Sequence, residues 1–218
     1  MVERTLFLLK PDAIIRRRIG AEVIKDLLRR FRIIGFKEGR MSQELARRFY
    51  RVHEGKFFYP SLVTYVTSGP VIALILEGEN VTRRVREILG ATKPEEAAEN
   101  TIRGRYGIYG GINVAHASDS SESSRRELSL MKEMFNITEN PAAAERAREY
   151  VAQHENPSLP DYTDKLRKLS IQLAENPGLE QKIRQELREL LRKENPNLDK
   201  EVLETFLDVI IGNCLVQK

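Results

Sequence analysis

An α/β fold, with helices packed on a small sheet and an all-helical segment added at the C-terminal end, is predicted by three features of this sequence. Short apolar runs of strand type alternate with amphipathic helical stripes through residues 1–135, and the strands are too few for a doubly wound sheet. Past residue 135 only helical stripes remain. The charge changes at the same place: residues 1–135 carry 24 Lys and Arg against 17 Asp and Glu, whereas residues 136–218 carry 12 against 15. The sequence therefore divides into an electropositive unit at 1–135, suited to a polyanionic ligand, and a helical extension at 136–218.

With 218 residues, 41% of them hydrophobic, the chain can bury a core and is not a disordered protein. No run approaches about 18 uninterrupted apolar residues, and Met1-Val2-Glu3-Arg4 leads straight into a strand-like segment, so neither a signal peptide nor a membrane span is expected. The one cysteine, Cys214, excludes an internal disulfide framework and a cysteine-based zinc site. A cytoplasmic location follows as the default.

In chain order, Arg4 to Lys10 (RTLFLLK) is a buried strand stopped by Pro11-Asp12, with Lys10 presented at its exit. Past Arg16-Arg17-Arg18, the stripe Val23, Ile24, Leu27, Leu28 and Phe31 has helical spacing. A strand surrounds Gly35-Phe36. Leu45, Phe49 and Val52 make a short helical pattern beside Tyr50, which His53-Glu54-Gly55-Lys56-Phe57-Phe58 interrupts, and Pro60 to Ser68 forms another turn or two. Val71 to Glu77 is the most strand-like run, and Asn80 is placed to cap a helix that Gly90 stops. Between Ala91 and Ile112 only a helical turn at Pro94 to Asn100 is expected; so long a loop containing Thr92, Lys93, Arg103 and Arg105 points to function. Ser121 to Met134 returns to helix.

The segment Asn113 to Ser120 follows a glycine-rich run and sets one of the three histidines, His116, among small and polar residues. Histidine can act as a nucleophile near neutral pH. Small neighbours admit a bulky polyanion, and Ser118, Asp119 and Ser120 supply groups to orient a ring or a metal-bound water. A lone loop histidine is more often only solvated. The residues upstream decide otherwise.

Those residues are ERTLFLLKPDA (3–13), SGPVIALILEGENV (68–81), VREILGATKPEEA (85–97), TIRGRYG (101–107) and NVAHASDSSESSRREL (113–128). In order and spacing they resemble the nucleoside diphosphate kinase family. The resemblance implies a ferredoxin-like fold, a four-stranded antiparallel sheet with packed helices. It also implies ping-pong transfer of the γ-phosphate from a nucleoside triphosphate to a nucleoside diphosphate through a phosphohistidine, with Mg²⁺. By the same resemblance His116 is the nucleophile, attacking through Nδ1, Glu127 orients its ring and Ser118 supports Glu127. Lys10 and Tyr50 lie near the transferred phosphate; Arg86, Thr92 and Arg103 hold the phosphates; Asn113 contacts the sugar; Phe57 stacks on the base; and Asp119 reaches the magnesium through water. A homo-oligomer, hexamer or tetramer, is implied as well. Ala117 stands where most members have Gly, and Gly110 where many have an apolar residue facing the base.

The chemistry is consistent with such a set. Phosphoryl transfer spreads charge over three equatorial oxygens, so positioned cations do most of the work, and no GxxxxGK[ST] loop occurs here. The alternative is a non-catalytic nucleotide-binding scaffold acting through the extension, which would predict the loss of a reacting group. Specific nucleic-acid binding is not expected, because basic and aromatic residues are not interleaved along one surface.

The extension carries Glu-Asn-Pro at 139–141, 155–157, 175–177 and 194–196. Asn before Pro suits an N-cap followed by the first helical position, so each triplet is expected to end one helix and begin the next. Four amphipathic helices would make a small bundle or a wrap on the first unit. Deletion of residues 136–218 is expected to leave a folded kinase.

Overall fold

A computed structural model describes residues 2–216. Its four strands are β1 (Val2–Leu9), β2 (Arg32–Gly39), β3 (Val71–Glu79) and β4 (Ala115–Ala117). They form one antiparallel sheet in the order β2-β3-β1-β4. The helices are α1 (Pro11–Ile15), α2 (Arg18–Arg30), α3 (Gln43–Phe49), α4 (Tyr59–Thr67), α5 (Val81–Leu89), α6 (Ile102–Tyr106), α7 (Ser121–Met134), α8 (Ala143–His154), α9 (Thr163–Glu175), α10 (Glu180–Glu194) and α11 (Lys200–Val216). This is the small antiparallel sheet with packed helices that the sequence predicts.

Successive strand side chains point to opposite faces. Phe7, Leu9, Ile72 and Leu74 join one apolar cluster with residues of α2, α5 and α8. Leu6, Leu8, Ala73 and Ile75 join a second with residues of α3, α4 and α7. Because both faces are covered, the central strands read as unbroken apolar runs rather than alternating ones. Gly35 lets β2 close onto β3 at a bulge, since a Cβ there would lie 2.6 Å from Ile75 Cγ1. The outer edge of β2 is covered in turn by the segment before α8, where the Asn140 N–H donates to the Ile34 carbonyl at 2.8 Å.

α9, α10 and α11 bury Leu166, Leu173, Leu187, Leu191, Phe206 and Ile210 in a third cluster that also holds Ile15, Tyr65, Ile108 and Ile112. The three helices are thus a small bundle seated on α1, α4 and the loop before β4. α8 does otherwise: Ala143, Ala147, Tyr150 and Val151 belong to the sheet layer beside α2. Sequence composition changes near residue 135, but packing runs across that point.

Several local expectations are corrected. The segment between Ala91 and Ile112 contains a 3₁₀ turn at Pro94–Glu96 and the unforeseen α6, five residues being too few to show a period. Asn80 precedes α5 at φ +50° and makes no side-chain cap, although Gly90 does end the helix at φ +86°. Of the Glu-Asn-Pro triplets only 175–177 acts as expected, Asn176 accepting from the Gly178 N–H as Pro177 opens the 3₁₀ turn ahead of α10. Asn140 and Asn156 instead close local turns onto Ala142 and Ser158. Asn195 turns inward and donates to the Ile15 carbonyl at 2.9 Å. A buried backbone acceptor outweighed the local capping preference.

Candidate active site

Pairing of β1 with β4 sets Leu8 opposite His116 and leaves Lys10 at the exit of β1. Just before β4 the chain makes a three-residue turn, the Ala115 N–H donating to the Asn113 carbonyl at 2.8 Å with Val114 at φ +73°. A β-branched residue in that region stores strain of about 1–3 kcal/mol and persists only where its surroundings hold it. Here Asp12, wholly buried, accepts from the Val114 N–H at 3.0 Å and from the Tyr65 hydroxyl. The Lys10 N–H donates to the Val114 carbonyl at 2.9 Å.

His116 Nε2 lies 2.8 Å from Glu127 Oε2, on α7. Ser118 donates to the same oxygen at 2.7 Å, and Arg126 pairs with Oε1 at 3.2 Å. A carboxylate so placed accepts, so in the neutral ring Nε2 is the nitrogen that carries the proton and the lone pair falls on Nδ1. Nδ1 has no protein hydrogen-bond partner among the described residues. The Phe49 and Tyr50 rings meet the imidazole edge-on, with centroids 5.1 and 5.9 Å away.

Three cations converge here. Lys10, 4% exposed, donates to Asn113 Oδ1 at 2.7 Å, and Asn113 Nδ2 donates to the Thr92 carbonyl at 2.7 Å. Burial, then the nearby Arg103 charge, lowers the Lys10 pKa to about 7. Arg103, on α6, pairs with no carboxylate among the described residues: its guanidinium donates to the carbonyls of Gly90, Ala91, Asn113 and Ala115 at 2.9–3.3 Å. Burial and then Arg86 lower its pKa to about 10. Arg86, exposed on α5, reaches the Ala117 carbonyl at 3.5 Å. Thr92 takes part through its carbonyl, its side chain facing solvent. The Tyr50 hydroxyl is buried without a partner, the condition of a group that awaits a ligand atom.

The family model described as nucleoside diphosphate kinase matches residues 3–137. The chain belongs to the nucleoside diphosphate kinase family. It is 47% identical over 129 residues to the nucleoside diphosphate kinase of Roseiflexus sp. strain RS-1, covering 59% of this chain and 87% of that one. With that of Persephonella marina it shares 42% over 139 residues, 63% of this chain and 99% of the relative. Among solved structures, the Aquifex aeolicus nucleoside diphosphate kinase is 41% identical with a TM-score of 0.58, over 63% of this chain and all of the other. The Halobacterium salinarum nucleoside diphosphate kinase in complex with CDP is 38% identical with a TM-score of 0.58, over 66% and 98%. The chain is accordingly a phosphotransferase, and most of the extension lies outside these matches.

A row of rings runs outward from His116 through Tyr50, His53 and Phe58 to Phe57, with successive centroids 5.9, 6.4, 5.5 and 5.5 Å apart. Phe57, 71% exposed, is its outer end, and Phe58 packs closer in against His53. Asp119 is exposed beside Arg86, its carboxyl held below the usual range first by the Ser123 hydroxyl. Among the described residues no group of three or more His, Cys, Asp or Glu could hold a metal. A single exposed carboxylate would suit a magnesium ion held mainly by a nucleotide's phosphates rather than by protein ligands. Sequence reading missed Asp12, Tyr65, Phe49 and Arg126, which act by holding other groups; Pro11-Asp12 showed only a turn.

The depressed Lys10 pKa has a measurable sign. With a pKa of about 7 the free protein's Lys10 loses its proton as pH rises through that value, and a phosphate bound beside it would favour the charged form. ADP binding above that pH is therefore expected to be accompanied by net proton uptake. Calorimetry in buffers of different ionisation enthalpy reads this directly, and the uptake should vanish in Lys10→Gln.

Proposed function

We propose that His116 carries the phosphoryl group between nucleotides, in a ping-pong exchange between a nucleoside triphosphate and a nucleoside diphosphate. The observation that supports it is the tie of Nε2 to Glu127, which leaves Nδ1 as the free ring nitrogen in a cleft whose cations, Lys10, Arg86 and Arg103, form no ion pair with a carboxylate among the described residues. The Nδ1 lone pair attacks the γ-phosphorus as the bond to the β–γ bridging oxygen breaks, releasing the diphosphate. The phosphorylated ring, protonated at Nε2, gains positive charge that Glu127 offsets. A terminal oxygen of a second diphosphate then takes the phosphoryl group and restores the imidazole.

Lys10, Arg86 and Arg103 neutralise the phosphate oxygens, with Tyr50 and Thr92 beside them, and Asn113 is placed for the sugar. Mg²⁺ on the phosphates would supply charge neutralisation, with Asp119 reaching it through water. Stacking on Phe57 without reading of the base edge would make the enzyme indifferent to base identity, and CDP in the Halobacterium relative accords with a nucleotide at this site. The proposal places the chemistry in residues 1–135 and a supporting role in 136–218. A cytoplasmic homo-oligomer is part of the same reading; no helix among the described residues is long and apolar enough to cross a membrane. Intact mass after incubation with Mg-ATP tests it: a gain of one phosphoryl group that GDP removes is expected, and no gain would overturn it.

A further inference from the structure

α6 bears Arg103, yet its five residues, IRGRY, cannot hold a helix unaided. Its N-terminal end is secured within the first unit: Thr101 accepts from the Gly104 N–H at 3.2 Å, and Gly104 fits so tightly that a Cβ would lie 2.1 Å from the Ala98 carbonyl oxygen. Its C-terminal end is secured from outside. The carbonyls of a helix's last turn have no partner within the helix and favour a cation. Here Arg167 of α9 supplies one, half-buried, donating from Nη2 to Gly104 and to Gly107 at 2.7 Å each, and from Nε to Gly107 at 3.1 Å. The Tyr106 carbonyl accepts from Arg16 at 2.9 Å, and Arg16 is itself fixed by Glu194, Thr163 and Asp161 of the extension. The next stretch of chain is gripped as well. Asn213 of α11 accepts from the Gly111 N–H at 3.1 Å and donates to the Tyr109 carbonyl at 3.0 Å, while Ile108 and Ile112 are buried in the bundle's own cluster.

We infer that the extension is a brace for nucleotide binding, in which Arg167 is a positioning residue that caps α6 and so holds Arg103 where it meets the nucleotide's phosphates. The inference rests on the proposed site for the phosphates, though not on His116 being the nucleophile. Arg103 enters the cleft on the backbone of α6, and its guanidinium is aimed by carbonyls on either side, Gly90 and Ala91 before it and Asn113 and Ala115 after it. If the C-terminal end of α6 unwinds, the residues from Gly107 to Asn113 lose the anchor nearest Arg103 and that cage loosens, even with Asn213 still in place. Among the described residues Arg167 hydrogen-bonds to backbone only, apart from a long 3.9 Å approach to exposed Asp164, so its removal strands no buried carboxylate.

The test uses the full-length protein with Arg167→Ala and Arg167→Lys. Losing a charged hydrogen-bond donor of this kind is expected to weaken ADP binding about tenfold by calorimetry, and to raise the nucleotide KM about as much with kcat changed less than about threefold. Arg167→Lys, keeping one donor and the charge, should recover part of the loss. Amide exchange in residues 101–112 should quicken in Arg167→Ala while β1 and β3 stay protected. A lower Tm with unchanged ADP affinity would show a purely structural contact and overturn the inference. So would an equal fall in binding for Arg167→Ala and Arg167→Lys with exchange in 101–112 unchanged. If His116 proves not to be phosphorylated while the Arg167 variants still bind ADP more weakly, the nucleophile assignment fails and the brace stands.

Discussion

His116→Ala is expected to form no phosphoprotein with Mg-ATP and to lose nucleotide exchange by roughly four orders of magnitude or more. The size follows from the site: among the described residues no other side chain has a free nucleophilic nitrogen held by a carboxylate within this cluster of cations, so nothing nearby can take over the covalent step. His53 is the nearest imidazole in the ring row, and its pKa is lowered first by burial and then by Lys56. It has no carboxylate holding its ring, however. The imidazole of His116 is 22% exposed and lies at the edge of the sheet, so the variant should keep the wild-type Tm, separating loss of chemistry from loss of fold. Glu127→Gln gives the graded comparison. It keeps an acceptor for Nε2 but loses the charge that balances the phosphorylated ring, so phosphorylation should still occur, slowed by about 10- to 100-fold. Phosphorylation persisting in His116→Ala would place the nucleophile elsewhere.

Arg16→Ala is expected to cost about 3–5 kcal/mol of stability, the usual range for breaking a buried ion pair by removing one partner. Arg16 is 1% exposed and Glu194 2%. Two N–H···O bonds of 2.8 and 2.9 Å join them, and Arg16 also donates to Thr163 at 2.6 Å and to Asp161 at 3.2 Å. Burial opposes the guanidinium's charge, but Glu194 and then Asp161 outweigh it and raise its pKa. Truncation leaves Glu194 buried with only the Tyr162 N–H, 2.7 Å away, to satisfy it. Urea unfolding of the intact chain measures the cost. The paired change Arg16→Met with Glu194→Leu should recover most of it, because desolvating two charges offsets much of what their attraction contributes. A single-variant cost below about 1 kcal/mol would mean that water reaches the pair in solution.

The same seam changes the outcome expected for truncation. A chain ending at residue 135 would strip Arg16 of its three acidic and hydroxyl partners and remove α8 from the layer beside α2 and Phe36. Aggregation is the expected result, rather than the folded kinase that composition alone suggests. The reason is physical. A change in charge and periodicity marks where one kind of segment gives way to another, but cooperativity depends on which apolar faces cover each other, and α8 covers the sheet.

By itself the sequence determined the long apolar strands and most of the long amphipathic helices, because apolar period is a property of neighbours along the chain, and its motifs, by their family resemblance, named the candidate reacting residues. RTLFLLK and VIALILE needed no coordinates to show two strands, and the resemblance carried by NVAHASDSSESSRREL paired its histidine with a serine and a glutamate. Tertiary structure alone decided what holds those residues in place: Asp12 across a strained Val114, a guanidinium at position 103 caged by backbone carbonyls, and Arg16 and Arg167 capping a helix too short to have a period. The partners in each case lie up to 178 residues apart, and nothing along the chain records which polar groups folding will bury together.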